Sequence, residues 1–238
     1  AVHTPMQAKP EDLAIFPDIL DSKRQKLAGM TIALDRAVGH IMDTLKNEGL
    51  DRRTIVFFVN DNGGATTNAS NNGPLRGMKG SKWEGGIRVP YVVRWSDHLP
   101  AGNHYDLPVS TLDIAATALA VAGAGTDSMS DLDGVDLLPH LSGKDPDTPH
   151  EILFWRRGPA AAVRVGKWKL LRIKTNPVLL MDLDADLGET TNLAAQEPEI
   201  VEQLLDRLSE WEAGLVNPLW VTDEKWQDNQ IRKHRMDV

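Results

Sequence analysis

Residues 60–64 read Asn-Asp-Asn-Gly-Gly and follow directly on the apolar run TIVFFV at 54–59. Asp61 offers a carboxylate and Asn62 an amide carbonyl. Both are hard oxygen donors, suited to Ca²⁺ or Mg²⁺ and not to soft metals. In open α/β sheets, sites gather outside the carboxyl ends of strands, where these two residues fall. The same residue types also form an Asx-type turn with no ligand, and two oxygens do not fill a coordination shell, so spacing alone leaves both readings open. A second group is basic. Arg76, Lys79, Lys82 and Arg88 lie within thirteen residues that contain one acid, Glu84, inside NNGPLRGMKGSKWEGGIRVP at 71–90. A guanidinium or ammonium on a glycine-rich loop can hold an anion, although a solvated loop would have the same composition. The G-x-x-x-x-G-K-[ST] pattern of a P-loop is not met. His3, in AVHTPMQAKPED, is the third candidate; a lone imidazole among prolines is a surface residue as readily as an acid–base group. The other six histidines show no H-x-x-x-H spacing, and no G-x-S-x-G elbow supplies a serine nucleophile.

The elements that would position these groups follow from periodicity. Leu27, Met30, Leu34, Val38, Ile41 and Leu45 recur at spacings of three and four, which predicts a helix from Ser22 with one buried face, stopped at Gly49. Residues 54–59 read as a strand buried on both faces. A helix running straight into such a strand points to an α/β sheet. Residues 63–86 hold seven glycines and little periodicity, the mark of a functional loop. A second strand is expected over 88–95, with Pro90 marking either an edge position or a late strand start. Ser110 and Asp113 form a capping-box pattern ahead of a helix ending near Gly123. The polar stretch LDGVDLLPHLSGKDPDTP marks a boundary, giving a main α/β domain at 1–145 and a smaller one at 146–238. In the latter, ILFWRR, AAAVRV, KWKLLRI and VLLMDL predict a small antiparallel sheet. A helix over 192–215 follows, with Pro198 in its first turn, and Trp220 and Trp226 are expected to anchor the last residues on the surface.

Composition bounds the function. The chain has 238 residues, 41% hydrophobic and 25% charged, with a net charge of −8 and no cysteine. Net negative charge argues against a nucleic-acid partner. No run reaches the roughly 20 apolar residues of a membrane span. Without cysteine there is no disulfide, thiolate metal site or cysteine nucleophile, and the redox compartment is left open.

Taken together and in order, these stretches resemble the later part of a sulfatase of the alkaline-phosphatase-like superfamily. VHTPMQAKPED is similar to the family's His-containing, Pro-rich segment. The stretch from LAGMTIALDR to NDNGG resembles the helix and strand that end in its Asp-Asn-Gly metal motif. NGPLRGMKGSKWEGGIRVPYVVRW is similar to the segment with its sulfate-binding lysine. LDIAATALAVAG, DGVDLLPHLSG, AVRVGKWKLLR and LMDLDADLGETTNLA resemble later landmarks in the same order.

The resemblance implies an alkaline-phosphatase-like sheet sandwiched by helices and a C-terminal antiparallel sheet with a packed helix. It implies sulfate-ester hydrolysis, with Asp61 and Asn62 as two ligands of a divalent cation, Ca²⁺ in most of the family and Mg²⁺ as the other choice. Lys79 would contact the sulfate, with Arg76 a further substrate contact, and His3 would protonate the departing alcohol. The family's nucleophile is a formylglycine made in a Cys/Ser-x-Pro-x-Arg motif that these residues do not contain. That motif, the second Asp pair of the metal site and an upstream Lys and His are therefore expected before Ala1. The substrate class would be a sulfated small molecule or glycan, and the setting periplasmic or secreted. If the sheet's first strands also lie upstream, TIVFFV has an unpaired edge and a homo-oligomer is expected. A phosphate or phosphonate monoester hydrolase of the same superfamily, and a non-catalytic fragment lacking the nucleophile, are the alternatives.

Overall fold

Apolar spacing of three and four over residues 22–47 does build a long helix in the computed structural model of the chain, which describes residues 2–124, 131–174, 176–220 and 222–234. In chain order the elements are α1 (Pro10–Leu13), α2 (Ser22–Asn47), β1 (Val56–Val59), α3 (Glu84–Ile87), β2 (Tyr91–Arg94), α4 (Asp113–Val121) and α5 (Leu138–Leu141). Then come β3 (Ile152–Arg157), β4 (Ala160–Val165), β5 (Trp168–Ile173), β6 (Leu179–Asp182), α6 (Pro198–Ala213) and α7 (Glu224–Arg232). Two compact units emerge: Ala1–Met30, Asp61–Val89 and Ile152–Val238 form one, and Thr31–Asn60 with Pro90–Glu151 the other.

In the first unit, β3, β4, β5 and β6 form an antiparallel sheet in that order, as the four short apolar runs predict. Its register opposes Val163 to Leu170 and Leu170 to Leu180, so alternate residues share a face. Ala161, Val163, Leu170 and Leu180 bury against Leu204 and Leu208 of α6, with Phe154 stacked on Trp211 at 4.8 Å. The opposite face carries Ala162, Leu171 and Met181, and these pack on Trp83 from the glycine-rich loop. One sheet thus holds a helix on one side and the lysine-bearing loop on the other. Trp226 packs on Gly158 and carries Arg157 over its ring, whereas Trp220, expected as an anchor, is 83% exposed.

In the second unit β1 pairs antiparallel with β2, Val56 opposite Arg94 and Val59 opposite Tyr91. Each β1 residue is half-buried, so the expectation of burial on both faces fails; among the described residues β1 has one partner strand. The apolar face of α2 is likewise only partly covered. Leu27, Met30, Leu34, Val38 and Leu45 are half-buried and Ile41 is 58% exposed, while the one fully buried helical position is Gly29. The predicted stop holds: the Gly49 N–H donates to Lys46 and the Leu50 N–H to Leu45, closing the last turn. Asp113, fully buried, accepts from the Ser110 N–H as the capping pattern predicts, and also bonds the Val135 N–H and the His150 ring.

Candidate functional site

The tip that follows β1 is held against the basic loop by backbone bonds that only glycines permit. The Gly63 N–H donates to Gly86 O at 3.1 Å. A Cβ on Gly63 would lie 1.8 Å from Gly85 O, and one on Gly85 would lie 2.4 Å from Gly77 O. Any side chain at either position would push the two segments apart. The Lys79 N–H donates to Gly64 O at 2.8 Å, so the lysine's own backbone is tied to the Asp61–Asn62 tip. Asn72 doubles the tie, because its Oδ1 accepts from the Gly64 N–H and its Nδ2 donates to Gly77 O, each at 2.8 Å.

On that scaffold the side chains meet. The Lys79 ammonium lies 3.3 Å from Nε2 of His3. The tautomer follows from the other ring nitrogen: Nδ1 is 2.7 Å from Thr4 O, a pure acceptor, so Nδ1 carries the proton. Nε2 then presents a lone pair to Lys79, and it is the atom free to exchange a proton with a ligand. His3 is exposed, as a group that meets a substrate must be.

Asp61 is exposed, and among the described residues its carboxylate makes no hydrogen bond or ion pair. Asn62 donates Nδ2 to Gly63 O at 3.0 Å, which leaves Oδ1 as its free oxygen. This donor pair fits a hard divalent cation in type. Among the described residues no cluster of three or more His, Asp or Glu converges, so Asp61 and Asn62 amount to part of a shell of about 6–8 oxygens. A cleft of about 530 Å³ in the same unit is lined by Asp21, Arg24, Asn71, Asn72, Leu75 and Met78, and not by Asp61 or Asn62.

Arg76 has other partners. Its guanidinium lies 4.5 Å from the Trp83 ring and donates to Glu189 O at 3.1 Å, binding the loop to the residues beyond β6. Behind the loop sits a fully buried ion network. Lys169 of β5 donates to Glu84 Oε1 and Glu189 Oε1, both at 2.8 Å, and the Glu84 N–H donates to Glu189 Oε2. Burial pushes the Glu189 carboxyl up, and the Lys169 charge opposes that rise. The residues after α7 close the arrangement. Trp83 Nε1 donates to Lys233 O, and the Lys82 N–H donates to Nε2 of buried His234 at 2.8 Å. Burial, with the charges of Lys82, Lys233 and Lys169, pushes His234 down to about 4, so the ring stays neutral, as an acceptor of that bond must be.

Sequence reasoning singled out Asp61, Asn62, Lys79 and His3 as candidates, and all four lie within one unit. It missed Asn72, Lys169, Glu189 and His234, because each acts through a partner far along the chain and none carries a local pattern.

Two hard oxygen donors, an ammonium and an imidazole on one mixed α/β frame are residue types suited to a hard cation and an oxyanion. Comparison with known proteins narrows the class: a sulfatase family model matches residues 2–124, and the chain belongs to the sulfatase family. It is 33% identical to bovine (Bos taurus) arylsulfatase A over 221 residues, covering 80% of this chain and 43% of that protein. Mouse (Mus musculus) N-acetylgalactosamine-6-sulfatase is 34% identical over 174 residues, covering 71% of this chain and 32% of that protein. The crystal structure of Ps i-CgsB in complex with k-i-k-neocarrahexaose superposes with a TM-score of 0.85 at 32% identity, covering 99% of this chain and 53% of that one. The chain therefore has the mixed α/β, alkaline-phosphatase-like sulfatase fold, and spans less than half the length of the curated relatives it matches. No helix among the described residues is long and apolar enough to cross a membrane.

Proposed function

We propose that the protein hydrolyses sulfate esters and that this chain holds the leaving-group side of the reaction. The observation that carries the proposal is the 3.3 Å approach of Lys79 Nζ to His3 Nε2 on a lysine whose backbone is bonded to the Asp61–Asn62 tip. When the S–O bond breaks, the sulfuryl group passes to the attacking nucleophile, with water its final acceptor in hydrolysis, and negative charge develops on the ester oxygen. The Lys79 ammonium offsets that charge, and a protonated His3 delivers its Nε2 proton to the same oxygen, so that the alcohol departs neutral. The Nδ1 bond to Thr4 O fixes the ring for that delivery. Arg76, expected from the sequence as a substrate contact, supports the loop from behind through Trp83 and Glu189.

Asp61 and Asn62 would hold a divalent cation, Ca²⁺ in this reading, which supplies positive charge at the sulfate oxygens when bound. The family's formylglycine nucleophile has no counterpart in these 238 residues, which contain no cysteine. The similarity to a protein named N-acetylgalactosamine-6-sulfatase, and to one solved with a neocarrahexaose, supports a sulfated sugar as substrate; the secreted or periplasmic setting is the expectation that goes with the sulfatase family.

The test is turnover of 4-nitrophenyl sulfate against 4-nitrophenyl phosphate by the native protein carrying this chain. Sulfate should be preferred, a chelator should abolish turnover and Ca²⁺ restore it. Lys79→Ala should lower kcat by roughly 10²–10³-fold, the loss expected when one charge-stabilising donor is removed. Preference for the phosphate ester, or an unchanged Lys79→Ala rate, overturns the reading.

A further inference from the structure

The cations behind Lys79 exceed what the fold uses. Lys82 is only 6% exposed, yet among the described residues its ammonium has no hydrogen bond or ion pair. A lysine whose stem is buried this far while its ammonium keeps no protein partner is unfavourable, and proteins keep such groups where a ligand completes them. Two more cationic heads converge on the same turn. A Cβ placed on Gly80 would lie 2.8 Å from Arg157 Nη1 and 3.0 Å from Lys233 Nζ. Gly80, at φ +89°, is the residue next to Lys79, and Lys233 Nζ donates to the Lys79 carbonyl at 3.3 Å.

Among the described residues no carboxylate pairs with this group. The buried acids Glu84 and Glu189 are committed to Lys169, and among the described residues neither Arg157 nor Lys233 has a carboxylate partner. Arg157 lies over Trp226, with its Cζ 5.4 Å from the ring centre, and a guanidinium so placed carries N–H donors suited to an oxyanion. Burial first, then the charges of Arg157, Lys169 and Lys233, push Lys82 down to about 8. Burial and Arg157 likewise push Lys233 down. Cations that weaken one another in this way are short of an anion.

We propose that Lys82, Arg157 and Lys233 form a second oxyanion subsite at the Gly80 turn that follows the leaving-group lysine, which receives a further sulfate group of a polysulfated glycan. The identity of the ligand rests on the sulfatase reading; the existence of the subsite does not. Its parts come from three separate elements, the glycine-rich loop, the end of β3 and the residue after α7, so their convergence is a product of the fold and not of local composition.

Calorimetric titration of sodium sulfate into the native protein, with sodium chloride at matched ionic strength as control, tests this. Wild type should bind sulfate at two sites. Lys82→Met and Arg157→Gln should each weaken one site at least tenfold and leave the other, which Lys79→Ala should remove in turn. A disulfated disaccharide should bind wild type at least tenfold tighter than its monosulfated analogue, and Lys82→Met should erase that difference. Circular dichroism checks that Lys82→Met is folded, and exposed Arg157 supplies an independent variant. Sulfate binding unchanged in both variants, or matched by chloride, overturns the subsite. Loss in these variants with no effect of Lys79→Ala keeps the subsite and overturns the leaving-group assignment.

Discussion

Replacing Lys169 by Met should uncouple the loop from the sheet behind it, and the structure sets the scale. The Lys169 ammonium is fully buried and bridges Glu84 and Glu189 at 2.8 Å each. Methionine conserves the stem volume but strands two buried carboxylates. Partial relief remains, since Arg88 lies 3.9 Å from Glu84 and the Glu84 N–H still reaches Glu189. Breaking a buried pair by removing one partner costs about 3–5 kcal/mol. Native stabilities are about 5–15 kcal/mol, so roughly a fifth of the total or more is at stake. The loss must depend on pH. Glu189 already titrates above its ordinary value through burial, and Lys169 opposes that shift. Without the lysine the Glu189 carboxyl moves further up. A carboxyl raised in the fold binds protons more readily there than in the unfolded chain, so its penalty is full above the folded pKa and fades as pH falls through it. Urea denaturation followed by tryptophan fluorescence should therefore find the deficit largest at pH 8 and clearly smaller at pH 5. The triple variant Lys169→Met, Glu84→Gln, Glu189→Gln should recover much of it. A loss under about 1 kcal/mol at pH 8, well below the cost of stranding a buried charge, or one equal at both pH values, would refute the reasoning.

Two further outcomes are expected. Gly63→Ala places a Cβ 1.8 Å from Gly85 O, so the Asp61–Asn62 tip must part from the lysine loop. We expect about 3 kcal/mol of destabilisation or a displaced tip with sulfate-ester turnover lost, and an alanine variant as stable and active as wild type contradicts the close approach. Lys82→Met should stabilise the protein in the absence of sulfate. Lys82 titrates near 8 against an ordinary 10.5, so its ammonium penalises the fold fully below pH 8 and the penalty fades as pH rises toward 10.5. Thermal melts should show a gain of up to about 3 kcal/mol at pH 7, vanishing near pH 10.5; a pH-independent gain, or a loss, speaks against an unpaired buried ammonium.

Much of the frame was legible because period and turn chemistry are local. The α2 pattern, the Gly49 stop, the four C-terminal strands and the helix opened by Pro198 each depend on residues within a few positions of one another. The candidate site was legible where one side chain carries the chemistry, as with Asp61, Asn62, Lys79 and His3. Burial was not, because the apolar face of α2 and the residues of β1 are only half covered, and periodicity tells which side a residue faces and not what lies against it. The supports were also hidden. Lys169 reads as one more polar residue in KWKLLRI, and its meaning comes from Glu84, 85 positions away in the chain. Arg76 has the right type and neighbourhood for an anion contact, and only the Trp83 ring beneath it shows another employment.

The central claim is that His3 and Lys79 act together on the oxygen that leaves a sulfate ester. It is tested most directly by comparing kcat/KM for 4-nitrophenyl sulfate and for a sugar sulfate in wild type and His3→Ala. Nitrophenolate departs without a proton and a sugar alkoxide does not. General-acid catalysis contributes roughly 10²–10⁴-fold, so the variant should lose about that factor on the sugar ester and far less on the nitrophenyl ester. Equal losses on the two substrates, or none on the sugar ester, would contradict the account.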